Sequence, residues 1–109
     1  MALAGDWTVG REEAVSNAPN GSITYRFHAR DLHLILTPPA RGASARFRVL
    51  LDGQEPGDAH GLDVDEQGNG VVSEARLYQL IRQGGRITDR QFEIEFLDSG
   101  AAALCFTFG

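Results

Sequence analysis

Apolar and polar side chains alternate with a period of two through most of this chain, which commits it to strands with one buried face each. In Ile23-Thr24-Tyr25-Arg26-Phe27-His28, the residues Ile23, Tyr25 and Phe27 share one face, and Thr24, Arg26 and His28 the other. Phe47, Val49 and Leu51 alternate in the same way with Arg46 and Arg48, and Phe92, Ile94 and Phe96 with Glu93 and Glu95. Leu32, Leu34 and Leu36 form a further inward row, and the C-terminal run puts Leu104, Phe106 and Phe108 on one side. Polar outer faces of this kind suit antiparallel sheets with one solvated side.

Tight reversals separate the runs at Asn20-Gly21, Pro38-Pro39, Asp52-Gly53, Gly68-Asn69-Gly70, Gly84-Gly85 and Ser99-Gly100. With Trp7–Val9 and Glu13–Asn17 as short strands, about eight or nine antiparallel strands follow one another at roughly ten-residue spacing. The predicted fold is all-β, a jelly-roll β-sandwich. Residues 74–83 could also place Leu77, Leu80 and Ile81 on one side of a helix, but Leu77-Tyr78-Gln79-Leu80-Ile81 is read as a strand. A chain of 109 residues is one domain. Roughly fifteen inward side chains at ~1.5–3 kcal/mol each can offset its chain entropy without a metal or disulfide staple.

Composition excludes several classes. The net charge of −5 argues against nucleic acid as a partner. Cys105 is the single cysteine, so an intrachain disulfide, a CxxC pair and a cysteine-based zinc site are all ruled out. No apolar stretch reaches the ~18 residues of a membrane span, so direct membrane insertion is not expected. The start, Met1-Ala2-Leu3-Ala4, is too short and uncharged for a signal peptide.

All ten basic residues are arginine, and the charge is unevenly spread. Between Asp52 and Glu66 lie six acids and no arginine, while the remaining nine acids nearly balance the ten arginines. This segment is the first place to look for a cation. Asp63, Asp65, Gly68 and Glu74 match positions one, three, six and twelve of the calcium-loop pattern. Gln67 departs from it at position five, and Gly53, Pro56, Gly57 and Gly61 exclude an entering helix. The alternatives are therefore a lone calcium site on Asp63, Asp65 and Glu74, with calcium the one cofactor on offer, or a polar turn. His60 lies close enough in sequence to join such a site.

His28 and His33, five residues apart, both face outward by strand parity, yet no third ligand accompanies them in that segment. Cys105, between Leu104 and Phe106, reads as a buried or half-buried small hydrophobe. No Gly-x-Ser-x-Gly elbow occurs, and Glu93 and Glu95 are read as cross-strand partners of Arg26, Arg46 and Arg48 rather than as a catalytic pair. An enzyme is not expected. For ligand binding the candidates are the aromatics Trp7 and Tyr78, which belong to no clear inward row, with Arg26, His28 and Glu93 as polar partners. Trp7 suits a core plug closing one end of the sandwich better than a ligand contact.

Four segments together carry a resemblance: Gly5-Asp6-Trp7-Thr8-Val9-Gly10, residues 25–34, Arg76-Leu77-Tyr78-Gln79-Leu80-Ile81, and Phe106-Thr107-Phe108-Gly109. With Leu51-Asp52-Gly53 they resemble the C-terminal, carbohydrate-binding-module-like domain of DipZ-like thioredoxin-family proteins. The resemblance implies an upstream thioredoxin-like domain in the same protein, carrying the redox cysteines, and a location on the periplasmic side of the inner membrane. It transfers no catalytic residue, since Cys105 matches none of the family's cysteines. The expected role is a non-catalytic accessory β-sandwich that docks on the redox domain or holds a glycan or protein. The alternative is a calcium-stabilised carbohydrate-binding module.

Overall fold

The computed structural model describes residues 1–109. Its ten strands are β1 (Ala2–Ala4), β2 (Trp7–Val9), β3 (Ala14–Ser16), β4 (Gly21–Phe27), β5 (Asp31–Thr37), β6 (Ala45–Leu51), β7 (Asn69–Val72), β8 (Arg76–Arg82), β9 (Arg90–Phe96) and β10 (Ala102–Phe108). They form two antiparallel five-stranded sheets, ordered β1-β4-β9-β6-β7 and β2-β3-β10-β5-β8. We call these the first and second sheets. The fold is the expected all-β jelly-roll sandwich, with β1 and β7 in addition to the segments read as strands. Residues 76–82 are a strand, as read, because both Tyr78 and Leu80 face the core.

The predicted inward rows make the core. Ile23, Phe47, Val49, Phe92, Ile94 and Phe96 from the first sheet meet Leu32, Leu34, Leu36, Tyr78 and Leu80 from the second, all essentially inaccessible to water. Two bulges alter the pattern. The register of β5 against β8 shifts between Leu32 and His33, which lets both Leu80 and Ile81 turn inward. The register of β10 against β5 shifts between Ala103 and Cys105, so Leu104 is the extra residue and stands 39% exposed instead of facing the core. The same shift turns Cys105 outward opposite Ile35. Its thiol is exposed, not buried as the sequence suggested.

The acidic segment closes one lateral edge of the sandwich. Gly61 and Asp63 donate backbone hydrogen bonds to Leu80 and Gln79 of β8, and Val49 of β6 donates to Gly68. Gly68 has φ +89°, and a Cβ there would lie 2.1 Å from the Val49 carbonyl oxygen, so glycine is required twice over. Asp52 and Gly53 both have positive φ in a two-residue reversal closed by mutual Leu51–Gln54 hydrogen bonds, the turn that Asp-Gly favours.

Candidate functional site

The opposite lateral edge is open. β1 pairs with β4 through residues 22–24, and β3 pairs with β10 through Ala102 and Ala103. Beyond those points Tyr25–Phe27 of β4 and Leu104–Phe108 of β10 face each other with no strand alongside. Asp31 and Gly109 exchange backbone hydrogen bonds at 3.3 Å in both directions, which sets the parity of the β5–β10 ladder. Residues 105, 107 and 109 therefore bond to β5, and the N–H and C=O groups of Phe106 and Phe108 turn to the open side.

Aromatic side chains fill the gap between the sheets there. The Tyr25 ring lies 5.0 Å from Phe106 at 23° and 5.7 Å from Phe108 at 24°. Phe108 in turn lies 6.2 Å from Phe27 at 21° and 6.3 Å from Phe106 at 9°. Phe92 closes the inner end edge-on to Phe106 at 5.9 Å. The ladder runs from the core outward, and its last member, Phe108, is 43% exposed. A depression of about 240 Å³ beside it is lined by Tyr25, Arg26, Phe27, His28 and Phe108. Arg26 is exposed and makes no ion pair, whereas His28 is fixed through Nδ1 on the Asp89 carboxylate at 2.7 Å.

A second hollow of about 290 Å³ lies further along the same edge. Its floor is Ile23 and Leu34, its walls include Leu3, Ala14 and Ala103, and Arg11, Glu12 and Glu13 stand at its rim. Its cause is local: Ala14 and Ala103 are register partners, so two short side chains meet where other layers place Leu or Phe.

Of the expected ligand-binding residues, Arg26 and His28 border the aromatic depression. Glu93 sits on the outer face of the first sheet, between Thr24 and Leu50. Neither Glu93 nor Glu95 forms the expected cross-strand ion pair, because Arg46 engages Asp98 and Arg48 reaches Glu55. Trp7 is half-buried, donates from Nε1 to the Ala4 carbonyl at 2.8 Å and packs edge-on to Phe96, so it plugs the sandwich end. Tyr78 cannot face a ligand. It is fully buried, its hydroxyl donates to the Glu74 carbonyl at 2.8 Å, and the Ser73 and Glu74 N–H groups donate back. His28 and His33 lie in different sheets, and His33 Nδ1 is 3.3 Å from Thr107 Oγ1.

The acidic loop has a cation, but it is an arginine. Arg76 Nη2 donates to Asp63 Oδ1 at 2.7 Å, its Nε donates to Glu74 at 3.2 Å, and its guanidinium covers the Tyr78 ring at 3.8 Å. The other Asp63 oxygen accepts the Gln79 N–H at 2.7 Å. Asp65 caps its own turn, accepting from the N–H groups of Gln67 at 3.0 Å and Asn69 at 2.8 Å. Asp63, Asp65 and Glu74, expected as calcium ligands, are thus each held by protein groups and do not converge, and no three His, Cys, Asp or Glu side chains gather as a metal cluster. His60 instead bonds through Nδ1 to the Gly61 carbonyl. Burial pushes the Asp63 carboxyl up, but Arg76 and the Gln79 N–H outweigh it and hold the group below the usual carboxylate range.

The structure is therefore a two-sheet jelly roll with one sealed edge and one aromatic edge. The chain belongs to the thioredoxin-like C-terminal domain family, whose model matches residues 1–109. Among solved structures it is similar to a family two carbohydrate esterase from Clostridium thermocellum in complex with cellohexaose, with TM-score 0.73 and 11% identity. That match covers 99% of this chain and 31% of the esterase chain. A family two carbohydrate esterase from Cellvibrio japonicus matches with TM-score 0.69 and 10% identity, over 96% of this chain and 29% of that one. The chain thus spans about a third of these structures, and at such identities the likeness is one of fold. No protein of curated function matches the sequence. No helix is long and apolar enough to cross a membrane.

Proposed function

We propose that this chain is a glycan-binding accessory module of a thioredoxin-like protein of the DipZ type, located outside the cytoplasmic membrane, and that it performs no catalysis itself. The observation that carries the reading is the half-exposed Phe108 ring at the end of a near-parallel aromatic ladder, with Arg26 and His28 beside it. A flat ring face receives the apolar face of a sugar, and a few fixed polar groups select its hydroxyls. His28, held by Asp89 through Nδ1, keeps Nε2 free for that role. The outward N–H and C=O groups of Phe106 and Phe108 add further donors and acceptors. The fold neighbour solved with cellohexaose supports the reading as an analogy of architecture.

The test is an NMR titration with cellohexaose and a panel of neutral and acidic oligosaccharides. Shifts confined to residues 25–28 and 106–109, with affinity reduced about fivefold or more in Phe108→Ala, are the expected result, since one aromatic contact is worth about 1 kcal/mol. A flat response across the panel removes the glycan reading and leaves the aromatic edge to a protein ligand.

A further inference from the structure

The outer faces of the two sheets differ in kind. That of the first sheet carries Arg26, Arg46, Arg48, Glu93 and Glu95 among its polar residues, as a solvated face should. On the second sheet, register aligns Cys105, Ile35 and Leu77 in one row across β10, β5 and β8, and Thr107, His33 and Gln79 in the next. The half-buried Val15 and Thr37, with the buried Ala102 between them, form the row on the other side of the first. No acid or arginine interrupts these three rows. Leu77 is 39% exposed and the Cys105 thiol is open to solvent. Charge returns at one border with the exposed Arg82 beside the buried Asp31, so an apolar row lies between uncharged rows with a charged margin on one side, a pattern that suits docking.

The geometry points to this face of β10, β5 and β8 as the surface on which the neighbouring thioredoxin-like domain of the same protein packs. The inference rests on the accessory-domain part of the function proposed above and is independent of glycan binding. Size selects the occupant. Three rows about 6.8 Å apart, each crossing three strands about 4.8 Å apart, span about 300 Å². Free partners that associate stably cover about 800 Å² each, well over twice this area. Domains joined in one chain make do with about 300–750 Å² a side, because the tether holds them at about millimolar effective concentration. The family to which the chain belongs is described as the C-terminal domain of thioredoxin-like proteins, which supplies such a tethered neighbour. Composition sets the chemistry: the opposing surface must be flat and uncharged, since an ion pressed against Ile35 and Leu77 would lose its water without gaining a partner.

Cys105 lies in the central row and reports on coverage. Maleimide labelling, read by mass spectrometry on the peptide containing Cys105, is compared between this chain alone and the chain joined to its thioredoxin-like domain. The expected result is at least tenfold slower labelling in the joined protein, with Leu77→Asp restoring the fast rate. Leu77 is exposed, and an unchanged far-ultraviolet circular dichroism spectrum verifies that this variant is folded. Equal labelling of the two proteins overturns the inference. So does sedimentation of the isolated chain as a dimer that Leu77→Asp dissociates, which would assign the face to a second copy. The glycan reading fails separately, by an unresponsive titration at residues 25–28 and 106–109.

Discussion

The two lateral edges of this sandwich meet the same problem, exposed strand edges, in opposite ways. Along β8 the loop from Asp52 to Gly68 runs alongside the strand, donating backbone hydrogen bonds from Gly61 and Asp63, and Arg76 ties that loop to β8 through Asp63. Along β10 the pairing with β3 stops at Ala103 and leaves Leu104 to Phe108 without a neighbouring strand on the side away from β5. The sealed edge holds most of the unbalanced negative charge, yet Asp52, Glu55, Asp63 and Asp65 are engaged by arginines or backbone N–H groups. The open edge has few charges and keeps its rings and backbone groups available. A dense cluster of acids therefore marks structure here, and an apolar, alternating strand end marks the surface we propose for binding. Edge strands without charge or proline invite pairing, which is why the uncovered edge is the one we propose for a ligand.

The comparison predicts that sealing is the costlier feature to disturb. Gly68→Ala forces a Cβ against the Val49 carbonyl at positive φ and is expected to destabilise by about 3 kcal/mol. Thermal unfolding should show this as a fall in melting temperature on the order of 15 °C. A near-neutral Gly68→Ala would mean that the loop is not bound to β6 as described.

Smaller effects belong to the ion pairs of the same edge. Asp63→Asn removes the charge that Arg76 embraces and is expected to cost about 1–2 kcal/mol by urea denaturation. The pH dependence has a definite sign. Asp52 is lowered chiefly by the Gln91 N–H, with Arg90 assisting against burial, and Asp63 is lowered by Arg76 and Gln79. Asp98 is lowered to about 2, first by the side-chain hydrogen bond from Arg46. In acid the unfolded chain protonates these groups first, so their stabilisation is full above about pH 4 and is lost as pH falls towards about 2. The urea midpoint should drop across that window, and less steeply in Asp63→Asn. Millimolar calcium against EDTA should leave the melting temperature unchanged. A rise on the order of 10 °C, as a saturated site would give, would restore the metal reading.

How far each edge was legible in the sequence follows from the range of the interactions that build it. Period-two alternation placed Ile23, Phe47, Leu34 and Phe96 inward because it reports strand parity, a local property. It could not locate the bulges, since an extra residue at Leu104 or Leu80 depends on the partner strand, and so Cys105 and Leu104 were assigned to the wrong environments. Asp63, Asp65 and Glu74 carry the right spacing for calcium, but the Arg76 side chain folds back over Tyr78 to take the cation's place. Spacing along a chain does not show that. Phe106 and Phe108 were legible as apolar and Arg26 and His28 as outward, whereas the exposure of Phe108 depends on the β3–β10 pairing ending at Ala103. The one signal that could have singled out this edge was the aromatic concentration at Tyr25, Phe27, Phe106 and Phe108.

At the open edge substitutions should touch stability little or even raise it. Ala103→Leu fills the hollow above Ile23 and Leu34, and a gain of about 0.5–1 kcal/mol is expected in urea denaturation. A loss would mean that the neighbouring walls are already closely packed and that this part of the edge is sealed like the other. The smallest effect is assigned to Phe108→Leu. Leucine retains an apolar side chain against Tyr25 and Phe27 but has no ring face, and 43% of Phe108 is already in water. Stability should change by no more than about 0.5 kcal/mol, while the response of residues 25–28 to oligosaccharide falls as far as in Phe108→Ala. Undiminished binding in Phe108→Leu would show that the ring serves only as bulk, and the aromatic edge would then differ from the sealed edge in exposure but not in purpose.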